Sequence, residues 1–440
     1  MPSHKPAFFW LLEKEWRGLL ASRAWWIFLA LMGPLVGVSF IGAVRIYGEA
    51  SGLNGTAAGV GEAFSPLVGI WAPTFSACEI AAVFLLPFVA IRQVAGDRQS
   101  GALKLELQQP MPSFLRMAAK VLVLFAGWMI ALLAPLGAVL LWKSCGGSIY
   151  LPELATVGFG HVLNAGLTIA LGAAAASIAE NPSTAAIFTL AATVGCWVLD
   201  FIAAVEGGLW ERVASYTPAA MVGEFQHGLL RASTVMIALT LILAGLAVAA
   251  VWMRIGVAVW RRVFESIGVG AVCAAVIFFF ANANKSWDLS ENRMNSFPMA
   301  DDAALRGIRE PLTIVVHLAP EDPRRVDLER RALSKLRRVM PGVRIRYESA
   351  TSIGLFEQTN PNYGEIWYEL GGRKAVSRAT TQEGVLEAIY SLSGSAPAED
   401  QTVFRGHPLA VGPRGAAWVF YGLWPALAVG AGFFLQRRPS

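Results

Sequence analysis

Residues 24–44 read AWWIFLALMGPLVGVSFIGAV and contain no charged side chain. Such a run predicts a membrane-spanning α-helix, because about 20 helical residues cross a hydrocarbon core of about 30 Å with every backbone polar group bonded internally. Similar runs recur along the chain. We therefore predict eight membrane spans, at 24–44, 75–91, 117–142, 155–177, 184–204, 234–253, 264–281 and 415–435.

The overall composition also predicts an α-helical polytopic membrane protein. Hydrophobic residues make up 55% of the 440 residues and charged residues only 15%, whereas soluble domains are about 25% charged. The N-terminal segment 1–23 differs from the spans that follow. Residues 8–20 interleave large apolar side chains with Lys14, Glu15 and Arg17, which predicts an amphipathic helix in the membrane interface.

The distribution of Lys and Arg predicts the orientation, because basic residues remain on the cytoplasmic side during insertion. With the N-terminus inside, the short loops on the opposite side hold only Arg45, Lys143, Arg212 and Arg231. Both termini are therefore expected in the cytoplasm and residues 282–414 outside it. The net charge of +5 follows from this bias, and we expect no binding of nucleic acid.

The polar stretch 282–414 predicts one domain outside the membrane. Its pattern indicates a buried strand at 312–318, a charged helix at 322–340, an alternating strand at 343–347, a strand at 366–370 and a helix at 382–393. Strands that alternate with helices predict a small α/β domain built of layers. All four cysteines lie in or beside the apolar runs, so we expect no disulfide framework in this domain.

The motifs of common enzymes are missing from the chain. It contains no GxxxxGK[ST] phosphate loop, no HExxH zinc motif, no paired CxxC and no GxSxG nucleophile elbow. Its five histidines are scattered among unrelated segments. We therefore expect no catalytic residues, no metal site and no cofactor bound by this chain.

The most informative polar segment runs from Arg92 to Lys120, RQVAGDRQSGALKLELQQPMPSFLRMAAK. An acidic and a basic residue precede a glycine, a leucine-rich turn and two prolines. This order closely resembles the cytoplasmic coupling segment of ABC-2 type transporter permeases, and an ordinary interhelical loop is the alternative. The resemblance assigns the contact with an ATPase subunit to Asp97, Arg98, Gly101, Leu103, Leu105, Leu107 and Pro110.

Two further stretches extend the resemblance. The loop TPAAMVGEFQHGLLRAS from Thr217 resembles that family's re-entrant loop, with Pro218, Phe225 and Gly228 at the matching positions. The C-terminal third, beginning WDLSENRMNSF at Trp287, resembles a shortened extracytoplasmic component of gliding-motility-type ABC systems. The chain therefore resembles a fusion of the two components.

The fold that these resemblances imply is a six-helix ABC-2 exporter-type bundle followed by two further spans, with a small α/β extracytoplasmic domain inserted between those two. The implied segments are 1–23 for the interfacial helix, 24–258 for the six-span permease domain, 259–281 for the seventh span, 282–414 for the extracytoplasmic domain, and 415–440 for the eighth span and tail.

Four polar residues lie inside predicted spans, where burial in lipid is costly: Glu79, His161, Asn164 and Asp200. Asn164 follows His161 by about one helical turn. One interpretation places all four along a translocation path that accepts a polar or cationic group. The alternative is that they form hydrogen bonds between neighbouring helices.

The resemblance implies a non-catalytic permease subunit in a bacterial inner membrane, which couples ATP hydrolysis by a separate ATPase to export of a substrate. ATP and Mg²⁺ would bind to two copies of that ATPase, and the permease would pair with a second copy of itself or with a similar subunit. The external domain would contact a periplasmic or envelope protein. The alternative function is a mechanical or signalling anchor, in which ATP hydrolysis moves the external domain and no substrate crosses the membrane.

Overall fold

The computed structural model describes residues 7–52, 65–99, 101, 108, 111–179, 181–206, 208–254, 256–281, 283, 285–319, 322–340, 342–348, 362–394, 404, 406–407, 409 and 412–436. Within these residues, eight helices are long and apolar enough to cross a membrane: Arg23–Ala50, Leu67–Asp97, Ser113–Ser144, Leu151–Ile178, Pro182–Ala203, Ala232–Trp252, Val259–Ala281 and Ala416–Gln436. They match the eight predicted runs, which confirms a multi-pass helical membrane protein. We number them as spans one to eight.

Prolines explain the interruptions of spans two and three. Span two consists of a π-helical turn, Leu67–Trp71, and the helices Ala72–Phe84 and Leu86–Gln99, and span three of the helices Ser113–Ala131 and Leu133–Ser144. Pro87 and Pro135 lie shortly after the two breaks. A proline has no backbone N–H and its ring displaces the preceding turn, so each helix is interrupted on the N-terminal side of its proline.

Three shorter helices lie before span one and between spans five and six. The N-terminal amphipathic helix is Ala7–Ala21, and the segment between spans five and six holds the helices Gly208–Ala214 and Pro218–Gln226. Two short strands, β1 (Leu229–Arg231) and β2 (Ser286–Asp288), pair with each other. The helix predicted for residues 8–20 is thereby confirmed.

The chain divides into two compact units, which we call the membrane unit and the α/β unit. The membrane unit comprises Met1–Trp197, Tyr216–Trp287 and Arg405–Ser440, and the α/β unit comprises Val198–Ser215 and Asp288–Phe404. The predicted external segment 282–414 therefore covers the larger part of the α/β unit, and the sequence analysis did not predict that Val198–Ser215 group with it.

Span four is the central helix of the membrane unit. It contacts spans two, three and six and the helix Pro218–Gln226. Small residues allow these helices to approach closely, which is how helices pack where lipid removes the hydrophobic driving force. A Cβ atom on Gly160 would lie 2.5 Å from Cβ of Phe225, and one on Gly245 would lie 3.0 Å from Cβ of Ala170.

Span eight packs against span one in a groove that two glycines of span one leave open. A Cβ atom on Gly33 would lie 2.3 Å from the indole ring of Trp424, and one on Gly37 would lie 2.5 Å from Cβ of Phe420. The Trp424 indole N–H donates a hydrogen bond of 2.7 Å to the backbone oxygen of Leu29. Span eight is therefore part of the packed membrane unit.

The α/β unit contains a four-stranded sheet with the strand order β4-β3-β5-β6. Its strands are β3 (Leu312–Val316), β4 (Arg344–Tyr347), β5 (Ile366–Leu370) and β6 (Arg373–Ser377). Strand β4 runs parallel to β3, whereas β5 is antiparallel to both β3 and β6. The three strands predicted at 312–318, 343–347 and 366–370 are confirmed, and β6 is one that the sequence analysis missed.

One face of this sheet is covered by helices. The first is Met299–Gly307, the second runs from Pro323–Leu328 through a π-helical turn at Glu329–Leu333 into Ser334–Val339, and the third is Gln382–Ser393. Their apolar side chains bury the alternate strand residues Leu312, Ile314 and Val316, which are 0% exposed. The two predicted helices are confirmed, and Met299–Gly307 was not predicted.

Candidate functional site

A buried ion cluster lies at one end of the membrane unit. Lys120, near the start of span three, donates a hydrogen bond of 2.7 Å from Nζ to Oε1 of Glu15 and another to Asp97. The side chains of Lys120, Glu15 and Asp97 are 0%, 2% and 16% exposed, respectively. Each ion therefore depends on its partners, because a buried charge without one is strongly unfavourable.

Two more side chains complete the cluster. Lys14 Nζ lies 3.0 Å from Oδ2 of Asp97, so two ammonium groups balance two carboxylates. Gln93 of span two donates hydrogen bonds to Oε2 of Glu15 at 2.8 Å and to its backbone oxygen at 2.9 Å. The cluster thereby connects the amphipathic helix to spans two and three.

The spacing of the amphipathic helix explains why Glu15 is buried. Leu11, Glu15 and Leu19 follow one another at four-residue intervals, so they share one helical face, and all three are buried. A carboxylate in the middle of an apolar face requires a cationic partner. The sequence analysis missed this pairing, although a glutamate between two leucines at helical spacing was a signal for it.

The predicted coupling segment is only partly described. Asp97 belongs to the helix Leu86–Gln99, and its ion pairs give it a structural role that the sequence analysis did not include. Gly101 has a φ of +76°, a conformation that glycine adopts readily after a helix. The side chain of Arg98 and the residues Leu103, Leu105, Leu107 and Pro110 lie outside the described residues.

A cavity of about 330 Å³ lies within the membrane unit. Two of the predicted path residues, Glu79 of span two and Asn164 of span four, both line it. Most of the other lining side chains are apolar and come from spans two, four, five and six. They include Val83, Leu167, Leu171, Ala192, Trp197, Leu241 and Val248, with Thr168, Thr193 and Cys196 among them.

His161 belongs to the same helix as Asn164 but does not line this cavity. Its side chain is fully buried, its Nε2 is 3.4 Å from Nε2 of Gln226, and its ring centroid is 5.6 Å from that of Phe75. Within the described residues, Nδ1 has no hydrogen-bond partner. Asp200 belongs to the stretch Val198–Ser215 of the α/β unit. Of the four predicted polar residues, the cavity therefore brings together only Glu79 and Asn164.

The predicted re-entrant loop forms a short helix and a glycine turn. Pro218 begins the helix Pro218–Gln226, and the Thr217 hydroxyl caps it by accepting a hydrogen bond of 3.2 Å from the N–H of Ala220. Phe225 is 1% exposed, and Gly228 turns the chain with a φ of +74°. The depth of this loop in a bilayer stays a prediction.

The same loop contributes to the cavity. Pro218 and its neighbour Ala219 line the cavity wall. An ion pair of 2.9 Å between Glu224 and Arg231, and a hydrogen bond of 2.6 Å from the Thr234 hydroxyl to Glu224, hold the loop on the start of span six. A movement of this loop would therefore change the shape of the cavity.

The described residues contain no group of three or more His, Cys, Asp or Glu side chains that could hold a metal ion. The four cysteines are free thiols.

Comparisons with known protein families, with characterised proteins and with solved structures find no match to this chain. Within the part of the chain that the structure describes, the two candidate sites are the apolar cavity with Glu79 and Asn164 and the buried ion cluster.

Proposed function

We propose that this protein is the membrane-spanning permease subunit of an ABC transporter complex of the ABC-2 type, driven by a separate ATPase. The proposal places it in a bacterial inner membrane, with both termini in the cytoplasm and residues 282–414 in the periplasm. Two ATPase copies would bind ATP and Mg²⁺, and a second copy of this chain or a similar permease would complete the complex.

The observation that carries this proposal is the ion cluster of Glu15, Asp97 and Lys120. The proposed coupling segment, Asp97 to Pro110, leads from the end of span two towards the start of span three. The cluster joins Asp97 and Lys120 to the amphipathic helix through buried charges. A force applied by an ATPase to this segment would therefore move both spans and the helix together.

The cavity supports transport over an anchor that moves nothing across the membrane. A volume of about 330 Å³ falls in the range of small-molecule sites, which are mostly apolar with a few polar groups. Glu79 and Asn164 supply those polar groups. The arrangement suits an amphipathic substrate whose polar or cationic part approaches the carboxylate.

The first experiment tests the ATPase contact by gentle purification from native membranes and mass spectrometry of bound proteins. We expect the wild type to retain a stoichiometric ATPase, and a Leu103→Glu/Leu107→Glu variant to lose it. These substitutions leave the ion cluster intact. Arg17→Ala, which removes an exposed ion pair with Glu13, is the matched control and should retain the ATPase.

Recovery of envelope proteins without an ATPase would contradict the proposal and favour the anchor. Labelling of Cys196, a native thiol in the cavity wall, then distinguishes the transport function from the anchor function. In a variant whose other three cysteines are alanine, a small thiol reagent should label Cys196 at a rate that ATP changes when the ATPase is bound. An anchor with a static cavity predicts the same rate with and without ATP.

A further inference from the structure

An open pocket of about 620 Å³ lies in the membrane unit, where the end of span one meets the start of span eight. Span one supplies Ile41, Arg45 and Glu49 to its wall, and the chain at the start of span eight supplies Arg414 and Ala417. Among the described residues, this pocket shares none with the apolar cavity or with the buried ion cluster. It is therefore a separate candidate site.

Backbone contacts hold the two sides of the pocket together. The Tyr47 hydroxyl of span one donates a hydrogen bond of 2.8 Å to the backbone oxygen of His407. The N–H of Ala416 donates one of 3.3 Å to the backbone oxygen of Pro413, which turns the chain immediately before span eight. Arg414 lies inside this turn, so its side chain starts from a fixed backbone position at the pocket wall.

The wall of the pocket changes from apolar to charged along span one. Ile41, Arg45 and Glu49 follow one another at four-residue intervals, so they share one helical face at successive heights about 6 Å apart. Because the span ends one residue after Glu49, Ile41 lies deepest of the three and Glu49 nearest to water. Across the pocket, Arg414 precedes span eight and Ala417 lies in its first turn. The order from apolar to basic matches the order from acyl chain to phosphate in a phospholipid.

The charged residues that line the pocket carry one net positive charge. Arg45 and Glu49 lie 4.0 Å apart and are 74% and 61% exposed, so their ion pair is loose. Arg414 is exposed and, in the part of the chain that the structure describes, has no ion-pair partner. A ligand with a single negative charge would therefore balance the pocket, whereas a zwitterionic head group would leave the positive charge in excess.

We propose that this pocket binds an anionic phospholipid. The phosphate lies between the guanidinium groups of Arg45 and Arg414, because each guanidinium presents paired N–H donors that match phosphate oxygens. One acyl chain lies along Ile41 and Ala417, and the hydroxyls of a glycerol head group donate hydrogen bonds to Glu49. The bound lipid thereby bridges spans one and eight. This proposal concerns the membrane unit alone and does not depend on the proposed transport function.

The test is native mass spectrometry of the full-length protein in detergent, with phosphatidylglycerol, phosphatidylethanolamine and phosphatidylcholine of identical acyl chains titrated separately. We expect the first phosphatidylglycerol to bind about tenfold more tightly than either other lipid. Arg45→Ala and Arg414→Ala should each weaken that binding about tenfold, and Arg414→Lys should retain part of it. Glu49→Gln, which keeps a hydrogen-bond acceptor, should bind as tightly as the wild type or more tightly.

A second measurement separates a lipid from a water-soluble phosphate compound. Glycerophosphoglycerol has the same head group without acyl chains, and we expect it not to compete with phosphatidylglycerol. Phosphatidylglycerol should also raise the melting temperature of the wild type more than that of Arg414→Ala, because a ligand that binds only the folded state stabilises it.

The matched control is Arg306→Ala, because Arg306 is 66% exposed in an ion pair with Asp302 of the α/β unit and lies outside the pocket. This variant should bind phosphatidylglycerol like the wild type, and thermal melting shows whether each variant is folded. Equal binding of the three lipids to the wild type would overturn the proposal, since that result identifies ordinary annular lipid. Unchanged binding by folded Arg414→Ala, or competition by the soluble head group, would also overturn it.

Discussion

The membrane unit and the α/β unit are both closely packed, but they use different side chains to achieve it. The core around spans two, four and six is rich in alanine, with Ala173, Ala176 and Ala249 among its buried members. The core of the α/β unit consists mainly of leucine, isoleucine and valine. Large apolar side chains gain free energy by leaving water, whereas in lipid that gain is missing and close contact of helix backbones takes its place.

Charged residues differ between the two units in the same way. In the α/β unit, pairs such as Arg373 and Glu310 lie at the surface, where both side chains are more than half exposed. The membrane unit buries Glu15 and Lys120 together. Exposed pairs contribute little to stability, whereas a buried pair becomes costly when one partner is removed. The buried ion cluster of the membrane unit should therefore contribute much more to stability than the exposed ion pairs of either unit.

The largest expected effect comes from breaking the ion cluster. Lys120→Met would leave Glu15 buried without its main cation, and we expect a loss of about 3–5 kcal/mol in stability. Thermal melting in detergent measures it. The control is Arg17→Met, whose pair with Glu13 is exposed and should contribute under about 1 kcal/mol. Equal melting temperatures for the two variants would contradict the difference between buried and exposed ion pairs.

The second prediction tests the dependence of the α/β unit on large apolar side chains. Leu333 is 0% exposed in its core, and Leu333→Ala should destabilise this unit by about 2–5 kcal/mol through lost burial and a new cavity. Peptide-resolved hydrogen exchange of the full-length protein measures the effect. Leu243→Ala removes an exposed leucine of span six and should change exchange of its own helix by less than about 0.5 kcal/mol.

The third prediction tests close helix contact in the membrane unit with two glycines of one helix. Gly160→Ala would place a methyl group against Phe225 and should cost about 1–3 kcal/mol. A Cβ atom on Gly158 would meet nothing within 4 Å, so Gly158→Ala should be neutral or stabilising by up to about 1 kcal/mol. The melting temperature should therefore fall in Gly160→Ala and stay level or rise in Gly158→Ala, and an equal fall in both would argue against close packing at Gly160.

The smallest expected effect is a pH dependence in the α/β unit. The hydrogen bonds donated by Arg324 lower the pKa of Asp322 to about 2, with help from the Tyr363 hydroxyl. A lowered folded-state pKa stabilises the protein above the unfolded pKa of about 4 and loses that contribution as the pH falls towards 2. Because Arg324 is half exposed, we expect under about 1 kcal/mol.

The measurement is hydrogen exchange of the helix that begins at Pro323, followed between pH 5 and pH 2.5 after correction for intrinsic exchange rates. The wild type should lose protection over this range relative to Asp322→Asn, whose amide does not titrate. If both proteins lose protection equally, Asp322 contributes nothing measurable through its ionisation.

The sequence predicted the elements that follow from local pattern. Hydropathy predicted the eight spans, the apolar run at 312–318 predicted a buried strand, and the alternation of Val343, Ile345 and Tyr347 predicted another strand. Strand β6 was missed because Arg373–Ser377 contains only two apolar residues, Ala375 and Val376, which are adjacent and show no alternation. Its pairing with β5 is decided by the fold.

The candidate site depended on contacts between distant residues. Glu79 and Asn164 could be selected as polar residues in spans, but only packing determines that they share a cavity while Asp200 does not line it. Lys120 was counted only among the basic residues that predict which side of the membrane a loop occupies. Its partner Glu15 lies 105 residues earlier in the chain, a separation over which no local pattern indicates a pairing.

The packing of span eight in the glycine groove of span one can form only late in synthesis of the chain. Trp424 and Leu29, which share a hydrogen bond, are 395 residues apart in the chain. At a translation rate of about 5–20 residues per second, span eight is synthesised roughly 20–80 s after span one. During that interval Gly33 and Gly37 lack their packing partners, and the contact forms only after span eight has been made.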